Sequence, residues 1–397
     1  MRAALVADEY YPDIGGASHY AFELSLQLVK LGIEAVVITH AHPGQPEEEE
    51  IAGVKIKRVK GFVFNSPHRA ASLLLFHRCH KYILDGKFDV VHGLDVYSSM
   101  ALMAIRFARR HRIPCVLTCH TVMGSLFLIY LQRLMGLGLV LKRADRLIAV
   151  SRAAARFSHL LGFPEKRITI VPNGVDLSCF NGEIDASLMR EELGIGDELL
   201  VVTASRLIKR KNPALLISAF ARVLKVVPDA KLVIAGSGRE KDNLYRQSES
   251  LNITNSVFMP GGLAKEKLAQ LLAAADVFVL PSKMESFGLA LLEASAAGVP
   301  VVCSNAGGVP EVFQDGFNAL LYPPGDGNAM AEAIIRLIQD GELAKTISAN
   351  AIETASRFTW EMAAERTLRV YEEVLQENAS KSSCSASRKM GQLEDIT

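Results

Sequence analysis

Residues 276 to 303 read DVFVLPSKMESFGLALLEASAAGVPVVC. Two short runs rich in β-branched residues, DVFVL (276–280) and PVVC (300–303), flank a polar turn and a helical stretch that opens near Phe287. A strand, a crossover helix and a second strand of these lengths form a parallel βαβ unit. The same alternation extends outward, through ALLY (319–322) on one side and SVFM (256–259), KLVIAG (231–236) and LLVVTA (199–204) on the other. Before a polar stretch from Leu177 to Glu198, an earlier series runs AALVA (3–7), EAVVIT (34–39), VKIKRV (54–59), DVVH (89–92), CVLTC (115–119), RLIAV (146–150) and ITIVP (168–172). Ala21, Leu24, Leu28 and Leu31 mark the first crossover helix, which Gly32 stops. The pattern predicts an α/β protein with two doubly wound parallel sheets. The expected domains are 1–176 and 177–358, followed by a helix from Thr359 to about Gln376. The tail, 377–397, has too few apolar groups to pack and is expected to be disordered.

Composition agrees with two cores. The chain has 397 residues, 49% of them hydrophobic, which is more than one ordinary core needs. A net charge of +1 excludes nucleic-acid binding by overall charge. Residues 1 to 180 nevertheless hold 22 Lys and Arg against 15 Asp and Glu, and all ten histidines, so the two halves are expected to meet different ligands. The six cysteines lack the paired spacing of a disulfide framework or zinc site and read as reduced thiols. MRAALVADEYYP opens on a strand and not on an apolar leader, so the expected location is the cytoplasm. The apolar stretch Val122 to Leu141 is broken by Gln132, Arg133 and two glycines, and reads as a surface-seeking or core helix and not as a span.

Parallel sheets bind ligands beyond the carboxyl ends of their strands, which makes the turns the place to look. Glu285 lies in the turn at a helix mouth, and Glu293 sits two turns further along. A carboxylate among Leu292, Ala294 and Ala297 needs a partner if buried. Paired ribose hydroxyls suit it, and an exposed helix face is the alternative. SRLIKRKNP (205–213) offers Arg206, Lys209, Arg210 and Lys211, a cluster suited to a diphosphate, or else a solvated charge run. In DEYYPDIGGASH, Gly15 and Gly16 directly precede a helix, as in a phosphate-binding turn or a plain tight turn. Neither this turn nor AGSG, with Gly236 and Gly238, is G-x-G-x-x-G, which disfavours a nicotinamide-dependent oxidoreductase. His40, His92 and His120 each close a predicted strand, where all three can face one crevice, and His120 is assigned a role there. Cys119 and His120 point to opposite faces, against a Cys/His nucleophilic pair. No carboxylate motif supports a metal at the three histidines.

In order and spacing, several segments together resemble the retaining glycosyltransferases of family 4, which have the GT-B fold. They are YYPDIGG and its helix, the strand ending at His120, VPNGVD (171–176), SRLIKRK, AGSG, the Glu285 and Glu293 pair, and NAGGVPEV (305–312). The match spans nearly the whole folded chain. It implies two Rossmann-like domains facing across a cleft, with the C-terminal helix crossing back to the first. The implied activity moves a hexose or N-acetylhexosamine from a UDP- or GDP-linked donor to a hydroxyl, with retention, no cofactor and no metal. The resemblance makes His120, Glu285, Arg206 and Lys211 catalytic. Gly15, Gly16, Gly236 and the Phe287, Gly288 and Leu289 amides would meet the donor, whose diphosphate Arg206 and Lys211 neutralise. Glu285 would bind the sugar and Glu293 the ribose, while Tyr11, His19, Asn173 and Glu311 fall on the acceptor side or in the cleft. The acceptor hydroxyl would attack on the face the nucleotide leaves, and the leaving phosphate would take its proton.

DEYYPDIGGASHYAFELS and VVITHAHPG resemble the branch that acts on phosphatidylinositol, which implies an anionic lipid acceptor and a peripheral position on the inner face of a membrane. A soluble sugar or inositol phosphate acceptor, an epimerase of the same fold and a noncatalytic nucleotide-sugar-binding subunit remain open. The physical counterpart is the basic set Lys55, Lys57, Arg58, Lys60, Arg69, Arg78, Lys81 and the Arg106 to Arg112 cluster. Apolar side chains in Leu73 to Phe76 and Leu126 to Leu131 lie beside it in sequence. Solvated faces and core helices would leave the same pattern.

Overall fold

The computed structural model describes residues 1–13, 15–60, 73–180 and 184–394, with side chains of 73–76 and 381–394 excepted. The expected roles of Arg69, the Leu73 to Phe76 side chains and Cys384 therefore lie outside the described residues. The chain forms two compact units, Met1–Pro172 with Glu361–Thr397, and Asn173–Trp360. The second unit begins at Asn173, ahead of the expected boundary at 176, because VPNGVD is clasped to the end of that unit. The Val175 N–H donates to the Phe358 carbonyl at 2.9 Å. A Cβ at Gly174 would lie 2.2 Å from the Trp360 nitrogen.

The first unit is built on eight strands: β1 (Arg2–Val6), β2 (Glu34–His40), β3 (Glu48–Ile51), β4 (Val54–Val59), β5 (Val90–Gly93), β6 (Cys115–Cys119), β7 (Arg146–Ala149) and β8 (Ile168–Ile170). Their order is β3-β4-β2-β1-β5-β6-β7-β8, and every pairing is parallel except β3 with β4. The central strands β1, β5 and β6 are covered on both faces, which is why they read as unbroken apolar runs. The acidic strand β3, EEEI, has no apolar pattern to announce it. Its register makes it a strand, since Glu48 faces Lys57 and Glu50 faces Lys55 across the ladder. The basic set on β4, with Lys60 just after it, is paired within the fold. Lys57 pairs with Glu48, Lys60 with Glu47 and Lys55 with Glu34, each at 3.0 Å, and Arg58 pairs with Glu49.

The second unit holds β9 (Leu200–Ala204), β10 (Lys231–Ala235), β11 (Val257–Gly261), β12 (Val277–Leu280), β13 (Val301–Ser304) and β14 (Leu320–Tyr322), ordered β11-β10-β9-β12-β13-β14. All pairings are parallel. In chain order this is 3-2-1-4-5-6, the dinucleotide-fold arrangement, whose winding reverses between its first and fourth strands. Here those strands are β9 and β12, paired through Val201 with Val277 and Val202 with Phe278.

The last helix, Trp360–Glu394, belongs from Glu361 onward to the first unit. It runs well past Gln376, which corrects the expectation of a disordered tail from 377. The segment lacks proline, and a helix nucleated by a packed first half extends at one hydrogen bond per residue. The Tyr371 hydroxyl on this helix lies 2.7 Å from His92 Nδ1, and His92 Nε2 lies 2.6 Å from the Thr118 hydroxyl. His92 is thus a satisfied core group and does not face a crevice with the other strand-end histidines. Gly93, and not His92, closes β5, so the His92 side chain turns into the helix-covered face. Burial lowers its pKa to about 3, which leaves a neutral ring. The stretch Val122 to Leu141 forms two helices, Leu126–Leu134 and Leu137–Leu141, parted by Gly136 in the left-handed region. Among the described residues no helix is long and apolar enough to cross a membrane.

Tyr371→Phe should lower the stability of the first unit by about 1–3 kcal/mol, because it takes away the hydroxyl that meets the buried His92 Nδ1. A lower urea midpoint at an unchanged slope is the expected result, and an unshifted midpoint would contradict the anchoring role.

Candidate functional site

The second sheet reverses its winding between β9 and β12, and the two turns that leave these strands carry most of the predicted site. Lys211, in the turn after β9, donates to Glu285 Oε2, in the turn after β12, at 2.5 Å. The Ser282 hydroxyl donates to the same oxygen at 3.1 Å, and the Ser286 N–H reaches Oε1 at 3.3 Å. Both charged side chains are largely buried, at 15% and 11% exposure. Burial pushes the Glu285 carboxyl up, but the Lys211 ammonium, its hydrogen bond and the nearby Arg210 charge outweigh it and hold the group below its ordinary value. The Lys283 N–H donating to the Arg210 carbonyl at 2.9 Å joins the two turns by backbone as well.

The loop NAGGVPEV supports the pair from beneath. The Gly308 N–H donates to the Glu285 carbonyl at 2.9 Å. Gly307 has φ of +63°, and a Cβ there would lie 1.9 Å from that same carbonyl oxygen. Only glycine allows both the left-handed turn and the close approach. Glu311 follows in the same loop and is exposed.

Gly288, also left-handed, caps the helix Leu289–Ala296. The Phe287, Gly288 and Leu289 amides donate to no acceptor among the described residues. They lie beside the Glu285 turn at the positive end of a helix, an arrangement that suits an anion. Glu293 is half-buried about one turn into this helix. Arg206 is exposed directly beyond β9, with no carboxylate partner among the described residues. Gly236 packs backbone on backbone, because a Cβ at this position would lie 1.8 Å from the Ser205 carbonyl oxygen. Its glycine identity follows from supporting the Arg206 turn. Asn173 is buried with its Oδ1 unpaired among the described residues, at the start of the second unit.

In the first unit the winding reverses between β1 and β5. Gly15 caps the helix Gly16–Lys30 from the turn after β1, with extended backbone that does not itself demand glycine. Tyr11 is exposed and stacks on Phe22 at 4.9 Å between ring centroids, and His19 lies in the first helical turn. His120, just beyond β6, packs edge-on against the Tyr20 ring at 4.1 Å. Burial lowers its pKa to about 3, and its Nε2 has no hydrogen-bond partner among the described residues. The ring is therefore a neutral hydrogen-bonding group and not a proton carrier at neutral pH. Cys119 is buried in the core, and burial pushes its thiol up to about 12, as expected for an inert thiol.

Sequence reasoning passed over two carboxylates at this reversal. Asp8, beyond β1, accepts from the Ser98 hydroxyl at 2.9 Å and from the Ser99 and Met100 N–H groups at 3.1 and 3.0 Å. It thus caps the helix Ser99–Arg110. Asp95, beyond β5, accepts from the Tyr97 N–H at 2.9 Å, and burial pushes it up to about 6. An acidic residue two positions past each of the two strands flanking a reversal was the available signal.

Residues 185–354 match the glycosyl transferases group 1 family, and residues 14–178 match glycosyltransferase family 4. The D-inositol 3-phosphate glycosyltransferase of Frankia alni is 33% identical, over 91% of this chain and 95% of the relative. The chain belongs to the group 1, family 4 glycosyltransferases. This glycosyltransferase is also 27% identical to a phosphatidylinositol N-acetylglucosaminyltransferase subunit of Arabidopsis thaliana, over 94% of this chain and 82% of the relative. Its fold is GT-B, as in Anabaena HepE solved with UDP and glucose. That match has a TM-score of 0.78 and 22% identity, covering 94% of this chain and 100% of the other.

Lys211→Met leaves Glu285 buried without its main cation and should cost the second unit about 3 kcal/mol at neutral pH. Because the folded pKa of Glu285 lies below its ordinary 4.5, the stabilisation is complete above that value and is lost as pH falls through the folded value. The gap between variant and parent in urea unfolding should therefore close on acidification. A gap that is constant with pH would contradict the pairing.

Proposed function

We propose that this glycosyltransferase moves a hexose or N-acetylhexosamine, with retention, from a UDP-linked donor to a hydroxyl of an inositol phosphate group, free or lipid-borne. The observation that carries the reading is the buried Lys211–Glu285 pair beside unpaired helix amides, at the point where the second sheet reverses. The diphosphate would lie on the Phe287, Gly288 and Leu289 amides, with Arg206 and Lys211 supplying the countercharge that a metal supplies elsewhere. Glu285, held ionised, would accept from hydroxyls of the transferred sugar, and Glu293 from those of the ribose. The bond from the anomeric carbon to the phosphate oxygen breaks and the acceptor oxygen bonds to that carbon on the same face. The acceptor's proton passes to the departing phosphate, so no external base is needed. The neutral His120 would serve as a hydrogen-bonding group and not as a base.

The uridine assignment is supported by the nucleotide held by HepE, and a GDP-linked donor is the alternative that the assay below distinguishes. The acceptor assignment is supported by the inositol phosphate and phosphatidylinositol in the names of the two relatives. These two relatives differ in whether that group is soluble or lipid-borne.

Nucleotide release from UDP-glucose, UDP-N-acetylglucosamine and GDP-mannose, each with inositol 3-phosphate or phosphatidylinositol, tests the reading. One donor should show acceptor-dependent release, and Glu285→Gln should reduce it by about 10²–10³-fold while remaining folded. Parental rates in the folded variant would overturn the assignment. With the His120 pKa at about 3, the pH–rate profile should show no histidine inflection between about pH 5.5 and 8 that His120→Asn removes. Such an inflection would make His120 a proton carrier.

A further inference from the structure

We propose that the first unit docks on anionic phospholipid bilayers through the segment from Leu126 to Arg143. Leu126, Phe127, Tyr130, Leu134, Met135 and Leu139 are each between 69% and 78% exposed. In the helix Leu126–Leu134 only Ile129 is buried, so most of the helix's apolar surface faces outward. Single exposed apolar residues are ordinary, but six large ones in fourteen consecutive positions mark an interaction surface.

The occupant follows from charge. No Asp or Glu occurs between Asp95 and Asp145, an interval that carries seven Lys and Arg. Arg133 and Lys142 have no carboxylate partner among the described residues. They line an open pocket of about 290 Å³ together with Tyr130, Leu134, Leu139 and Gly162. Both cations converge over Gly162, where a Cβ would lie 3.6 Å from Arg133 Nε and 3.9 Å from Lys142 Nζ. Two unpaired cations inside an apolar rim suit a phosphate headgroup whose chains lie beside the leucines. By contrast, a two-fold contact between copies of this surface would bring like charges together and leave the cations unpaired. The β4 cations offer no such surface, since their glutamate partners already hold them.

The position has a use. Helix Leu126–Leu134 begins shortly after His120, beyond β6, and is tied to the turn after β5 by the Tyr97 hydroxyl donating to Gln132 Oε1 at 2.7 Å. The docking face thus adjoins the strand ends of the first sheet, and a lipid-borne acceptor would arrive beside them. Docking itself does not depend on the donor or acceptor assignment.

Flotation of the full chain with vesicles of phosphatidylcholine alone, or with about 30% phosphatidylglycerol, tests the proposal without any substrate. The chain should float with the anionic vesicles, and less so as salt is raised. Leu134→Ser with Met135→Ser and Leu139→Ser should reduce the bound fraction at least about tenfold. Arg133→Glu with Lys142→Glu should abolish the preference for anionic vesicles. These positions are exposed, and circular dichroism together with unchanged urea midpoints checks that the variants fold. If the serine variant is misfolded, Phe127→Ser with Tyr130→Ser replaces it under the same expectation. A parent chain that floats with neither vesicle, or folded serine variants that float like the parent, would overturn the proposal. Self-association lost in the serine variant, without vesicle binding, would likewise overturn it in favour of a protein interface.

Discussion

A buried ion pair, Lys211 to Glu285, is the constraint from which the second unit's site is built. Two opposite charges taken out of water are tolerated only with close geometry and further hydrogen bonds. Ser282, the Ser286 amide and the Arg210 charge supply those, and Gly307 and Gly308 hold the Glu285 backbone from below. The pair spans the two strands between which the sheet changes direction, so its position follows from topology. A preformed carboxylate and ammonium beside unpaired amides is a site with its charges already oriented, which lowers the reorganisation needed when a diphosphate leaves.

The first unit distributes its charge differently. Its acidic residues Glu47, Glu48 and Glu49 pair with Lys60, Lys57 and Arg58, on and just after β4, and Asp145 holds Arg109. Positive charge without a local answer is left beside the apolar helix from Leu126. The imidazoles divide likewise, since His92 is spent on anchoring the last helix while His120 keeps a free nitrogen at a strand end.

Most of the fold was legible because parallel strands buried on both faces are unbroken apolar runs, as in CVLTC and KLVIAG. EEEI escaped because its strand character lies in cross-strand charge pairs, which no single run displays. The last helix escaped beyond Gln376 because composition reports packing capacity and not helix continuation. At the site, the residue types in PSKMESF and SRLIKRK pointed to a donor pocket. That Lys211 meets Glu285 depends on two turns 74 positions apart being brought together by strand order. Asp8 and Asp95 were passed over for the same reason, being ordinary turn residues until the sheet places them. The close approach of Gly236 to the neighbouring Ser205 carbonyl likewise depends on two strands meeting, which the AGSG run alone does not display.

The most direct measurement is calorimetric binding of UDP and of a UDP-sugar to the parent chain, Arg206→Met and Glu285→Gln. If the reversal of the second sheet is the donor site, Arg206→Met should weaken UDP by about tenfold or more. Glu285→Gln should bind UDP as the parent does while losing the added affinity for the sugar-bearing nucleotide. Parental affinity for both ligands in both variants would contradict the account.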